Sequence, residues 1–182
     1  MDSNLTLQVD TREQWPHRYA RFFPPGTNLV QATMETGDLA LAGHDDVAVE
    51  LKRCAEMASM FGTDRERFQR ELARGRCLDA FCVVIEGSMT GVLTAATVQR
   101  GFSFASVMGT LASWTRRYRC HFVFCDTDQL AAQFAWRFLT GPIREAEARL
   151  AKARGAAARS ARAVAQAQSE PEDDPEPIDT LF

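Results

Sequence analysis

Apolar positions along this chain follow two rhythms, one of period two and one of period 3.6, and together they lay out a layered domain. Leu5, Leu7 and Val9 alternate with polar residues, which predicts a half-buried strand ending at Asp10. Tyr19 to Phe23 predicts a short helix stopped by Pro24-Pro25-Gly26. Asn28 to Met34 and Leu39 to Ala42 read as strands around a turn at Gly37-Asp38; a second turn is expected at Asp45-Asp46, followed by a strand over Val47 to Leu51. Thr63 and Glu66 have capping-box spacing and open a helix in which Phe68 and Leu72 share a face. Phe81 to Ile85 is apolar without interruption, the pattern of a strand buried on both faces. Phe104, Val107, Met108, Leu111, Trp114 and Tyr118 keep helical spacing; Phe122 to Phe124 is a short buried strand, and Leu130, Phe134 and Phe138 mark a further helix.

Alternating strands and helices predict an α/β class with helices covering a central mixed sheet, over residues 1–140. Pro142 then opens an Ala/Arg-rich helix, residues 141–168, with few apolar anchors. Residues 169–182 are rich in proline and acid and are expected to be a disordered tail.

Composition changes this picture in three places. The net charge of −3 argues at first against an anionic partner, but six of the 24 acids lie in the tail. Setting those aside leaves 18 acids against 21 basic residues, a mildly cationic body that permits a phosphate backbone partner without demanding one. Nineteen of the basic residues are arginines; only Lys52 and Lys152 are lysines, and Lys52 follows Glu50 by two positions. Five cysteines, an odd number without the two-residue spacer of zinc sites, read as buried reduced thiols. With no apolar run long enough to span a membrane and no secretory leader, they predict a cytosolic protein.

Acids fall at the ends of three predicted strands: Asp10 and Glu13 after the first, Asp38 at the turn before the third, and Glu50 at the end of the fourth. Side chains alternate along a strand, so Glu50 and Lys52 share one face and Leu51 points into the opposite layer. Two carboxylates from neighbouring strands suit Mg²⁺, a hard ion that prefers oxygen ligands. A lysine beside them orients a water and offsets charge at a phosphorane-like transition state. Phosphodiester hydrolysis needs that combination, because the anionic substrate repels a nucleophile. On the residues alone, a plainer reading stays open, in which Asp10, Asp38 and Glu50 are turn formers and solvated strand ends.

Taken together, Val9-Asp10-Thr11-Arg12-Glu13, Gly37-Asp38 and Glu50-Leu51-Lys52 with Glu56 resemble the nuclease domain of the XPF family of structure-specific endonucleases. Asp64 to Phe68 and Val83 to Gly87 are similar to that family in order and spacing, and the resemblance spans roughly residues 7–139. It implies a restriction-endonuclease-like core and a metal-dependent DNA endonuclease acting on branched or flap DNA in repair, recombination or replication. It also implies a role for each residue. Asp38, Glu50 and the Leu51 carbonyl would ligate Mg²⁺ or Mn²⁺, Lys52 would position the attacking water, and Asp10 would support the metal or its waters. Arg12 and Glu13 would hold the shape of the site or touch the scissile phosphate, Glu56 would support it, and Arg65, Arg67 and Arg70 would offer a DNA-contacting face.

This sequence departs from the family at Leu51, where the motif has arginine, and at Glu56, where it has aspartate. It also shows no helix-hairpin-helix module, so branch recognition falls to a dimer, the Arg-rich helix or a partner. Leu51 feeds a rival reading as a non-catalytic DNA-binding or scaffolding homologue; a second rival is a nuclease without branch preference. Trp15, Trp114 and Trp136 read as core or interface residues rather than base-stacking platforms, and His17, His44 and His121 match no motif. Relatives imply a homodimer through the helices at 103–118 and 128–139, and a DNA partner implies association with the nucleoid. The ending Leu181-Phe182 resembles the Leu-Phe motif by which bacterial replication and repair enzymes dock on the sliding clamp, with Ile178 where glutamine is usual.

Overall fold

The computed structural model describes residues 5–12 and 16–169. The alternating segments become β1 (Thr6–Asp10), β2 (Asn28–Ala32), β3 (Leu39–Leu41), β4 (His44–Arg53), β5 (Ala80–Glu86) and β6 (His121–Phe124). They form one sheet in the order β2-β1-β3-β4-β5-β6. β3 runs antiparallel to β1 and β4, while β1–β2, β4–β5 and β5–β6 are parallel, so the sheet is mixed. β5 is buried along its whole middle, as its unbroken apolar run requires of a strand covered on both faces.

Register sorts the residues of β4 between two layers. Val49 pairs with Leu39, which pairs with Val9, on one face. Ala48, Glu50 and Lys52 lie on the other, beside Phe81, Val83 and Ile85 of β5. This second face carries the main core. Helix α2 (Cys54–Met60) supplies Met57 and Met60, α3 (Arg65–Gly75) supplies Phe68 and Leu72, and α5 (Phe104–Tyr118) supplies Trp114. The Trp114 indole stacks on Phe61 at 5.6 Å between centroids and takes the edge of Phe68 at 5.3 Å. Removing such a ring costs about 3–5 kcal/mol, so this cluster fixes α3 against the sheet.

Several local expectations shift. The second turn lies at Ala42-Gly43, not Asp45-Asp46, because Gly43 adopts φ +82° and lets β4 start at His44. α3 begins at Arg65 after Asp64, and neither Thr63 nor Glu66 makes a capping bond. α1 covers Pro16–Ala20, earlier than expected, with proline at its first position; Tyr19 and Phe23 are nonetheless both buried. Two elements were not anticipated: α2, and α4 (Met89–Thr94) running into a π-helical turn at Ala95–Gln99. α6 (Asp128–Ser169) is continuous, with Pro142 inside it rather than opening a separate helix. Among the cysteines, Cys82, Cys120 and Cys125 are buried thiols, but Cys77, on the turn after α3, is exposed.

Contacts divide the chain into two units, Met1–Thr140 and Gly141–Phe182. In the second, Arg149 pairs with Glu145 at 3.7 Å and Leu150 is exposed. No helix among the described residues is long and apolar enough to cross a membrane.

Candidate active site

Asp38 owes its place to the glycine before it. Gly37 has φ +84°, and a Cβ there would lie 2.9 Å from the Cβ of Ala48, so only glycine lets the chain approach β4 this closely. The approach allows three backbone-anchored bonds. The Asp38 N–H donates to Val49 O at 2.8 Å, the Asp38 carbonyl accepts from Asp10 N at 3.0 Å, and its Oδ2 accepts from Leu51 N at 2.7 Å. Asp38 therefore joins the end of β1 to β4 at the level of Glu50-Leu51-Lys52.

Glu50 is 2% exposed, so the reading of these acids as solvated strand ends is wrong for it, and also for Asp10 at 1%. Asp10 is the last residue of β1, whereas Glu50 lies inside β4, which runs on to Arg53. The Lys52 ammonium donates to Glu50 Oε1 and to the Leu51 carbonyl at 3.3 Å. Glu50 Oε2, in contrast, is buried with no hydrogen-bond partner. Burial, then the Asp38 charge, push the Glu50 carboxyl well above its ordinary range, and the Lys52 charge opposes them in part. Burial works against the Lys52 ammonium too, but Glu50, Asp38 and Glu71 outweigh it, and its pKa is raised.

Asp10 sits in a different environment. Arg12 gives it a backbone N–H at 2.7 Å and two guanidinium bonds at 2.8 Å, and Met34 N–H donates to Oδ2 at 2.9 Å. The Arg12 guanidinium, bonded side chain to side chain, takes the carboxyl down to about 2 despite its burial. Arg12 also reaches the Met34 carbonyl at 2.6 Å, so the pair clamps the loop leading to Gly37-Asp38.

The other sequence candidates are distributed around this centre. Glu13 lies outside the described residues. Leu51 is buried on the opposite layer, as its strand position predicts, so the arginine of the family motif is replaced here by a packing residue. Glu56 accepts from Arg53 N–H at 2.7 Å, closing the first turn of α2. On α3, Arg65 bonds Thr110 at 3.4 Å and lies over the Trp114 ring, Arg67 is 3.7 Å from Asp64, and Arg70 is exposed. Sequence reasoning missed Glu71, also on α3, whose charge bears on Glu50, Arg12 and Lys52. Its only sequence signal is its place three residues after Phe68, on the flank of the apolar face.

Among the described residues, no three histidine, cysteine or acidic side chains converge where they could hold a metal ion together. Two carboxylates, a backbone carbonyl and waters are a smaller donor set, and one that suits Mg²⁺. The unanswered Glu50 Oε2 fits such an ion, since a buried acceptor without a donor is costly until a cation or a proton meets it.

The family model for the ERCC4 domain matches residues 9–138, a span that includes every one of these side chains. No curated protein matches the chain. Among solved structures, XPF from Aeropyrum pernix aligns at 16% identity with a TM-score of 0.55, covering 74% of this chain and 59% of that one. XPF from Aeropyrum pernix in complex with DNA aligns at 17% identity with a TM-score of 0.57, covering 76% of this chain and 66% of that one. The chain thus spans less than two thirds of the length of either relative, and at this identity the likeness is one of fold.

Proposed function

This chain belongs to the ERCC4 domain family and has the fold of the XPF nuclease, and from that premise we propose that it is a metal-dependent endonuclease that hydrolyses DNA phosphodiester bonds. The observation that carries the proposal is the half-answered Glu50 carboxylate. Its Oε1 is met by Lys52, its Oε2 by no donor, and Asp38 is fixed beside it. A surface ion pair has no reason to be built this way; a cation site does.

Asp38, Glu50 and the Leu51 carbonyl would hold Mg²⁺ or Mn²⁺, with Asp10 supporting the site from β1. The ion would supply Lewis acidity and a bound water acidic enough to attack. The protein does the rest through position. Asp38 keeps its carboxylate against Leu51 N–H, which fixes its reach toward Glu50. An ammonium has three donors, and Lys52 directs two at Glu50 and Leu51. The third is available to a water or to a phosphate oxygen, where a compact cation stabilises charge that develops during the displacement. Arg12 keeps the Met34 loop closed over Asp10 and is exposed enough to touch a phosphate as well. Arg67 and Arg70 are better placed than Arg65 for DNA, because Arg65 already packs on α5.

Branched or flap DNA is the proposed substrate, with a homodimer completing the grip on it. Phe104 is 60% exposed, Met108 and Leu130 are exposed, and Phe134 and Phe138 stack on each other half-buried, which gives α5 and α6 apolar material for a partner copy. The sliding clamp remains the proposed target of Leu181-Phe182, which lie outside the described residues. The test is cleavage of linear, flap and four-way DNA by the purified chain with Mg²⁺ or with chelator. Faster cutting of the flap or four-way substrate supports the branch assignment. Equal cutting of all three supports a nuclease without branch preference, and no cutting of any supports a binding homologue.

A further inference from the structure

The part of α6 from Gly141 onward is rich in alanine, the best helix former, and a run this long is helical without burying a face. Every residue from Arg144 to Arg162 is exposed except Gly155. A solvated helix ordinarily mixes the two signs of charge, because an acid and a base one turn apart stabilise each other. This one does not. It carries six cations, Arg144, Arg149, Lys152, Arg154, Arg159 and Arg162, against two acids, Glu145 and Glu147. At the angular step of an α-helix, all the cations but Arg154 fall within a sector of about 140°, and Arg154 lies nearly opposite its centre. Ile143 and Leu150 occupy positions outside that sector, so the cations do not flank a buried stripe. Among the described residues, Arg149 alone of the row has an acid partner, Glu145 at 3.7 Å.

Like charges gathered on one helix face repel each other, and a polyanion answers them together. From Arg144 to Arg162 the row extends about 27 Å along the helix axis. Over that length a DNA duplex presents about sixteen phosphate charges on a stiff rod. A straight row of cations matches a straight polyanion, and guanidinium forks suit phosphate oxygens without reading any base. We propose that this row is a duplex grip, in which the second unit of the chain lies along the phosphate backbone of a double-stranded DNA arm. This rests on the reading of DNA as substrate given above, and it names the part of that substrate which the helix takes.

Fluorescence anisotropy of a labelled DNA duplex with the full chain, in chelator so that nothing is cut, tests this across a series of salt concentrations. Each phosphate contact contributes about 0.9 to the slope of log affinity against log salt. Joint replacement by Arg144→Gln, Lys152→Gln, Arg159→Gln and Arg162→Gln keeps helix propensity and should lower the slope by about 3 to 4. Arg159→Gln alone should lower it by about 0.9, whereas Arg154→Gln, on the other side, should leave it unchanged. The two single variants carry the test if circular dichroism shows that the joint variant has lost helix. A wild-type slope in a helical joint variant, or in Arg159→Gln, overturns the inference, and Mg²⁺-dependent nicking by the same protein leaves the nuclease reading standing. An equal fall in Arg154→Gln also overturns it, because bulk charge and not the row would then be responsible. Tighter binding of phosphatidylserine vesicles than of duplex overturns it in favour of a membrane surface. The expected falls in a chain that nicks no DNA support the grip and sink the nuclease reading alone.

Discussion

Asp10 and Glu50 are equally buried, yet the protein answers their charges in opposite ways. Around Asp10, one arginine and two backbone N–H groups cover both oxygens, and the carboxyl falls to about 2. Around Glu50, one oxygen accepts from Lys52, the other has no hydrogen-bond partner, and burial drives the carboxyl upward. Burial alone thus does not distinguish the two acids; the supply of donors does. Asp10 is a closed account of charge that clamps the Met34 loop, and direct ligation by it would require Arg12 to move. Glu50 is open, and the charges of Asp38, Lys52 and Glu71 bear on it.

Lys52→Arg should have the largest effect among substitutions that keep the charge. The guanidinium is planar and larger, so it cannot place a donor where the ammonium sits between Glu50 and Leu51, and cleavage should fall about a hundredfold. Wild-type cutting by this variant would mean that the retained lysine has no chemical role and that the Glu50 side of the comparison is merely an ion pair.

Asp10→Asn and Glu50→Ala separate the two environments by stability. Asp10→Asn should lower the stability of the metal-free chain by about 1–3 kcal/mol, the cost of unmaking buried bonds to a charged acceptor. It should keep the rise in melting temperature that Mn²⁺ produces. Glu50→Ala should lose that rise, which at a tenfold excess over the dissociation constant is worth about 1.4 kcal/mol. The reverse assignment of the two thermal signatures would exchange the roles given to Asp10 and Glu50.

Acid titration gives a smaller effect with a defined sign. The folded-state pKa of Asp10 lies below its ordinary value, so its contribution is full above about pH 4 and is lost as pH falls through about 2. Urea melts should therefore show the gap between wild type and Asp10→Asn narrowing from pH 5 to pH 3. A gap that widens on acidification would contradict the clamp. Smallest of all should be Arg12→Lys, at about 0.5 kcal/mol, because the Arg12 side chain is 67% exposed and solvent screens the pair. A loss several times larger would place Arg12 among the residues that hold the fold.

How far the sequence anticipates this arrangement depends on how local each signal is. β1 and α5 are plain in their periodicity and β5 in its unbroken apolar run, because each pattern matches the faces that the element buries. The shared face of Glu50 and Lys52 and the inward Leu51 follow from strand alternation alone. α2 escapes because Cys54 to Met60 is short, buried almost throughout its second half, and therefore lacks a polar stripe to reveal its period. The Ala42-Gly43 turn was displaced because Asp45-Asp46 is a stronger turn signal in composition than a single glycine. Nor can sequence show that Asp10 is satisfied and Glu50 is not, since Met34 reaches Asp10 from 24 residues away. Glu71 is likewise a neighbour of Glu50 only after α3 has packed, 21 positions along the chain.

If Asp38 and Glu50 make a metal-dependent cutting centre, nicking of supercoiled plasmid by the purified full chain depends on both residues and on the ion. With Mg²⁺, the wild-type protein should convert supercoiled DNA to open circles, and chelator should stop it. Asp38→Ala and Glu50→Ala should each fall by about a hundred- to a thousandfold while retaining their far-ultraviolet circular dichroism. Nicking at the wild-type rate by either variant, or undiminished nicking by the wild-type protein in chelator, would contradict the account.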